Sequence, residues 1–144
     1  MAPSVYIPRS LRQLVAERAE FRCEYCQLQQ ALCPETFEVD HIIPRALGGQ
    51  TEPDNLCYVC PVCNNAKRSH ITARDPQTDR RVRLFDPRRQ RWSQHFRWSD
   101  DGGRALGETV IGRATVEALA MNRPRMVHIR LLRVAMGLHP PSKA

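Results

Sequence analysis

Asp40 and His41 sit side by side in Phe37-Glu-Val-Asp-His-Ile42, a short run that alternates apolar and polar side chains. On an extended strand, neighbouring side chains point to opposite faces. The carboxylate can therefore face a cation while the imidazole faces something else, such as a water to be deprotonated. Glycines come next at 48 and 49, then Asn55, then Cys60-Pro-Val-Cys63 running straight into Asn64 and Lys67. Pro61 is placed to open a helix, and on that helix Asn64 and Lys67, three apart, share a face. A strand, a long loop, a returning strand and a helix would bring Asp40, His41, Asn55 and Asn64 around one point. Taken singly, the three polar residues read as turn and cap positions and the histidine as an ordinary strand residue. It is their joint spacing that suggests chemistry.

The chain has six cysteines. Cys23 and Cys26 form one CxxC, and a second lies about 35 residues later, a pattern that favours a tetrahedral zinc site over a disulfide framework. Cys57, Cys60 and Cys63 make a CxxCxxC run, so the residues alone leave open which pair completes the site. A finger this small buries little apolar area, and bound metal would supply much of its folding free energy.

The stretch from Phe37 to Lys67, with the CxxC before it, resembles the HNH endonuclease family. That resemblance implies a ββα-metal finger and hydrolysis of phosphodiester bonds in DNA. It selects Cys60 and Cys63 to join Cys23 and Cys26 around zinc, and leaves Cys33 and Cys57 as small packing residues. It makes His41 the general base, an imidazole being largely neutral at cellular pH. Asp40 and Asn64 would hold one Mg2+ or Mn2+ through hard oxygen ligands, while Asn55 would fix His41 or the loop. Asn64 stands where many members have histidine, an HNN variant whose amide oxygen suits Mg2+ better than imidazole does. The tail LFDPRRQRWSQHFRW … GRATVEALAMNRPR resembles the extension found behind many bacterial HNH proteins.

The elements that must hold these groups read as an α+β protein: an N-terminal helix, the zinc-stapled finger and a small basic C-terminal extension. The expected division is 1–75 for the nuclease part and 76–144 for the extension. A helix over about 10–21 opens with Ser10-Leu-Arg-Gln13, which matches a capping box. The helix after Pro61 is expected to reach 72. Strands are expected at 82–85, 92–98 and 108–111, then helices over 112–122 and from Pro124 to Gly137.

Charge is divided unevenly. Residues 1–64 carry five basic against eight acidic side chains, and residues 65–144 carry 17 against seven. A basic half beside a cysteine-rich half fits a polyanion-binding arm next to a metal site, although a solvated arginine surface has the same composition. Lys67, Arg68, Arg88, Arg89 and Arg91 are the candidate phosphate contacts. Trp92 and Trp98 could stack on bases, but read more readily as the core of a small sheet. His70, His95, His128 and His139 match no ligand spacing. MAPSVYIPRS has no apolar signal core and no run approaches the ~20 apolar residues of a membrane span, so a cytoplasmic protein is expected. The reading is a metal-dependent DNA endonuclease or nickase. The alternatives are a catalytically idle zinc finger that only binds nucleic acid, and a structural zinc domain that recruits a protein.

Overall fold

The computed structural model describes residues 6–142. Helix α1 (Arg9–Arg18) starts directly after Pro8 with no side-chain cap. The expected capping box does not form, because Ser10 already lies inside the first turn. Val15 and Ala16 are its buried residues, and it lies against the first two strands. Strands β1 (Glu38–His41) and β2 (Leu56–Val59) pair antiparallel with Asp40 opposite Cys57 and His41 opposite Leu56. All four residues of β2 are buried, so the returning strand is the inner wall of the finger.

Helix α2 (Pro61–Lys67) is one seven-residue stretch, opened by Pro61 at its first position. It ends five residues short of the expected limit, because Arg68 takes φ +52 and residues from Thr72 onward are extended. Strands β3 (Thr72–Arg74) and β4 (Arg81–Arg83) form a second antiparallel pair. The expected division at 75/76 falls in the turn between them.

Helix α3 (Trp92–His95) is a single turn that runs into β5 (Phe96–Trp98), paired with β6 (Ala105–Gly107). The expected strand over 92–98 is therefore half helix. The strand expected over 108–111 is also overturned. Thr109 Oγ1 accepts from Gly112 N at 3.0 Å, a side-chain N-cap that opens α4 (Val110–Ala118) across those residues. Gly112 has no room for a side chain, since a Cβ there would run into the His95 carbonyl. Helix α5 (Pro124–Ala135) closes the described chain, with Gly137 at φ +75 just beyond it. Among the described residues the outcome is a mixed fold of five α-helices and three short antiparallel sheets.

One apolar cluster joins the finger to the C-terminal half, from Val15, Tyr25, Leu56 and Val59 to Trp92, Phe96, Met121 and Met126. Trp92 donates from Nε1 to the Tyr25 carbonyl at 2.7 Å and stacks on both Phe96 and Trp98. Trp92 is thus part of the core, with Trp98 packed half-buried against it. Asp75 is fully buried and receives two guanidinium bonds of 2.9 Å from Arg113 of α4.

Candidate active site and metal centre

The CxxC at 23–26 lies in a knuckle that links α1 to the strands, where Cys23 N donates to the Leu28 carbonyl. Two further bonds run from backbone to sulfur, Cys26 N to Cys23 Sγ at 3.5 Å and Cys63 N to Cys60 Sγ at 3.4 Å. Each knuckle thereby curls around its own leading thiol. The sulfurs of Cys23, Cys26, Cys60 and Cys63 lie within 4.8 Å of one another, all buried, and are positioned to form a metal site. Four ligands about 2.3 Å from a tetrahedral centre stand about 3.8 Å apart, and Cys26 Sγ and Cys60 Sγ are 3.7 Å apart. The donor set therefore fits zinc. Hydrogen bonds from the other three thiols hold Cys26 well below the ordinary thiol range, while Cys60 and Cys63 are pushed above it. Crowded sulfurs can share one negative charge readily, and further charge needs a cation among them.

Cys57 and Cys33 stand apart from this cluster. Cys57 is on β2 with its thiol against the Tyr25 hydroxyl at 3.8 Å, and Cys33 approaches the Gln29 carbonyl and Arg133. The CxxCxxC ambiguity is resolved by the strand, since Cys57 lies in β2 whereas Cys60 and Cys63 flank the start of α2.

On β1, Glu38 and Asp40 share the face turned towards α2. Asn64 donates to Glu38 and Lys67 Nζ donates to Asp40 Oδ2 at 2.9 Å. Asn64 and Lys67 do share a face, as their spacing requires. Lys67, however, is 2% exposed. It was expected among the phosphate contacts, and the correction has a simple cause: its ammonium is folded back onto Asp40 and the His41 carbonyl. Glu38 was missed by the sequence reading, although its place two residues before Asp40 puts it on the same face.

His41 points elsewhere. Its Nε2 is 2.8 Å from Thr51 Oγ1, and Arg45 donates to the same hydroxyl at 3.4 Å. Burial pushes the imidazole below its ordinary value, with Asp40 working against the shift. Nothing in the local pattern marked Thr51, which is ten residues away across an irregular loop. Asn55 holds that loop closed. Its Oδ1 accepts from Ile43 N at 2.9 Å, and its Nδ2 donates to the carbonyls of Ile43 and Gln50 at 3.0 and 2.9 Å. Gly49 packs under the same turn, where a Cβ would run into the Ile43 carbonyl. All three Asn55 bonds go to loop backbone, so it positions His41 only through the chain.

Together these parts form an acidic face, a separately held imidazole and a buried thiol cluster on one ββα unit. Residues 23–70 match the HNH endonuclease family model. No curated protein and no solved structure matches the chain. HNH endonucleases are nuclease-type hydrolases with nucleic-acid substrates, and the matched segment here contains both the thiol cluster and the Asp40-His41 pair. For a catalytic divalent ion, Asp40 Oδ1 and the Asn64 amide oxygen are hard donors on one face. Their other atoms are taken by Lys67 and Glu38, and the ammonium on Asp40 already balances the charge of that carboxylate.

Of the remaining candidates, Arg68 and Arg91 are exposed and Arg89 is 79% exposed. Arg88 is not an open phosphate contact, because its guanidinium is paired with Glu24 and both are largely covered. His95 is bonded to Thr109 at 2.7 Å and His139 to the Gly102 carbonyl at 3.1 Å. No helix among the described residues is long and apolar enough to cross a membrane.

Proposed function

We propose that this chain is a metal-dependent endonuclease or nickase that hydrolyses DNA phosphodiester bonds, with His41 as the general base. The observation that carries this reading is the Nε2 contact with Thr51. In the tautomer that protonates Nε2, His41 donates to the Thr51 oxygen and keeps a lone pair on Nδ1, the nitrogen a base needs. Burial keeps the ring neutral near pH 7. Asp40 and Asn64 would hold Mg2+ or Mn2+, which would stabilise charge on the phosphate and the leaving oxygen. Lys67 orients the Asp40 carboxylate, and Asn55 with Gly49 keeps the loop in the shape that presents His41. Zinc on the four thiols would fix the start of α2 against the knuckle after α1. Arg68, Arg89 and Arg91 remain candidate phosphate contacts. Residues to about 75 form the nuclease part and the rest a basic extension. Four thiols gathered for a metal and two unpaired ones suit a reducing, cytoplasmic setting.

A second reading is a zinc finger that binds nucleic acid without cutting it. The pairing of Asp40 with Lys67 and of Asn64 with Glu38 favours it, since both expected ion ligands already have protein partners. Supercoiled plasmid incubated with Mg2+, Mn2+, Ni2+ or EDTA, using wild type and His41→Ala, separates the two. Ion-dependent nicking or linearisation lost in His41→Ala supports the nuclease. Binding without cleavage under every ion supports the idle finger.

A further inference from the structure

The ribbon β3–β4 takes no part in the chemistry above. Its register sets Thr72 opposite Arg83, Ala73 opposite Val82 and Arg74 opposite Arg81. Cross-strand partners share a face and the faces alternate along each strand. Helix α4 packs against both strands, with Arg113 bonded to Asp75 in the turn and Thr115 accepting from Phe85 N just beyond β4. Ala73 and Val82 are half-buried, whereas Arg74, Arg81 and Arg83 are all exposed on the opposite face.

That face is positive. Residues 71–91 contain seven arginines and three aspartates, and two of the three acids are withdrawn from the surface. Asp75 is buried under Arg113, and Asp86 is only 13% exposed. The third, Asp79, meets Arg74 at 3.3 Å in an exposed turn, where such a pair is weak. Arg81 donates to Thr72 Oγ1 at 3.1 Å, which keeps it extended along the ribbon, and Arg83 has no ion pair among the described residues. The face also borders the segment that follows His41. Arg83 and Arg89 share a cleft of roughly 230 Å3 with Ile43, two residues beyond His41, and Arg83 lines a smaller gap with Ile42 and His70.

We propose that Arg74, Arg81 and Arg83 hold the phosphate backbone of duplex DNA beside the bond presented to His41. The choice of substrate rests on the nuclease reading. The choice of duplex DNA comes from shape: a two-stranded ribbon fits a major groove about 12 Å wide, whereas the deep, narrow major groove of A-form RNA does not admit it. Guanidinium forks suit phosphate oxygens, and Arg81 and Arg83 stand about 6.8 Å apart along one strand.

The test uses the full chain with its metal bound and a fluorescent DNA duplex titrated over a salt series. Wild type is compared with the ribbon triple Arg74→Gln, Arg81→Gln, Arg83→Gln. A control triple, Arg9→Gln, Arg104→Gln, Arg125→Gln, loses the same charge from exposed positions elsewhere. Each lost phosphate contact lowers the slope of log affinity against log salt by about 0.9, so the ribbon triple is expected to lose about 2.7 and the control much less. A lysine version of the ribbon triple should keep the slope, which separates charge from damage to the fold. Equal losses in both glutamine triples, an unchanged ribbon triple, a lysine triple as weak as the glutamine one, or a wild type that does not bind duplex DNA would each overturn the proposal. Plasmid cleavage run alongside keeps the two readings apart. Cutting with an unaltered ribbon triple removes the ribbon and spares the nuclease. Slope loss in a protein that cuts nothing supports the ribbon and removes the nuclease.

Discussion

At the residue scale, the candidate site depends on which atom of each polar side chain is already engaged. His41 Nε2 is taken by Thr51, so its usefulness as a base depends on Thr51 fixing the tautomer. Thr51→Val keeps the shape and removes the hydroxyl; losing one hydrogen bond worth about 1 kcal/mol should slow cleavage roughly five- to tenfold. Thr51→Ser should restore the rate, while a Ser variant as slow as Val would show that the hydroxyl is not what matters. His41→Ala should cost about 10²–10⁴ in rate with metal content and DNA affinity nearly intact. Because burial lowers the His41 value, the base is lost only when pH falls below the ordinary histidine range. The acid limb of the rate profile should therefore lie under about pH 6.5. Lys67 and Asp40 pose the complementary case. Lys67→Met leaves a partly covered carboxylate without its cation, and since breaking a buried pair costs about 3–5 kcal/mol, the lower end is expected in denaturant melts because Asp40 is 19% exposed. A variant as stable as wild type would mean that Asp40 turns to water when unpaired.

At the element scale, short strands of three or four residues are held by side-chain ties more than by their own ladders. The β3–β4 turn is anchored to α4 by Asp75 and Arg113. The same bonds hold the Asp75 carboxyl well below the usual range, with Thr78 and the Gln77 amide adding to the effect. A carboxyl depressed in the folded state contributes stability that is complete above the ordinary aspartate value near about 3.9 and is lost as pH falls through the lower folded one. Asp75→Asn should therefore lower Tm by several degrees at neutral pH, and the gap to wild type should shrink in acid. Equal gaps at pH 7 and pH 3 would remove the ion pair as the cause.

At the scale of the whole molecule, one apolar cluster and one thiol cluster hold together elements drawn from both halves of the chain. The four thiols come from the knuckle after α1 and from the β2–α2 junction, so an ion there staples segments more than 30 residues apart in sequence. Elemental analysis should give a zinc ratio near one. Cys60→Ser should lose the metal and unfold the finger, while Cys33→Ser and Cys57→Ser should keep it. Zinc retained in Cys60→Ser and lost in Cys57→Ser would place the ion on different sulfurs.

Local spacing specified a definite part of this protein from its sequence. Alternation put Asp40 and His41 on opposite faces of β1, Pro61 opened α2, a three-residue step aligned Asn64 with Lys67, and the CxxC runs marked a thiol site, while the fold decided which two of Cys57, Cys60 and Cys63 join it. Short elements without a clear period were less legible: Thr109 turned an apolar run into a helix start, and Arg68 ended α2 early through its backbone angle. Which charges are spent was settled only by tertiary packing. Lys67 reaches Asp40 across 27 residues, Arg88 reaches Glu24 across 64 and Arg113 reaches Asp75 across 38. Composition counts all three cations as surface charge. Only the packed chain shows them neutralised, because an ion pair is set by proximity in space and no periodicity records which acid a distant base will meet. The same packing left Arg74, Arg81 and Arg83 facing outward together, since α4 covers the other side of their ribbon.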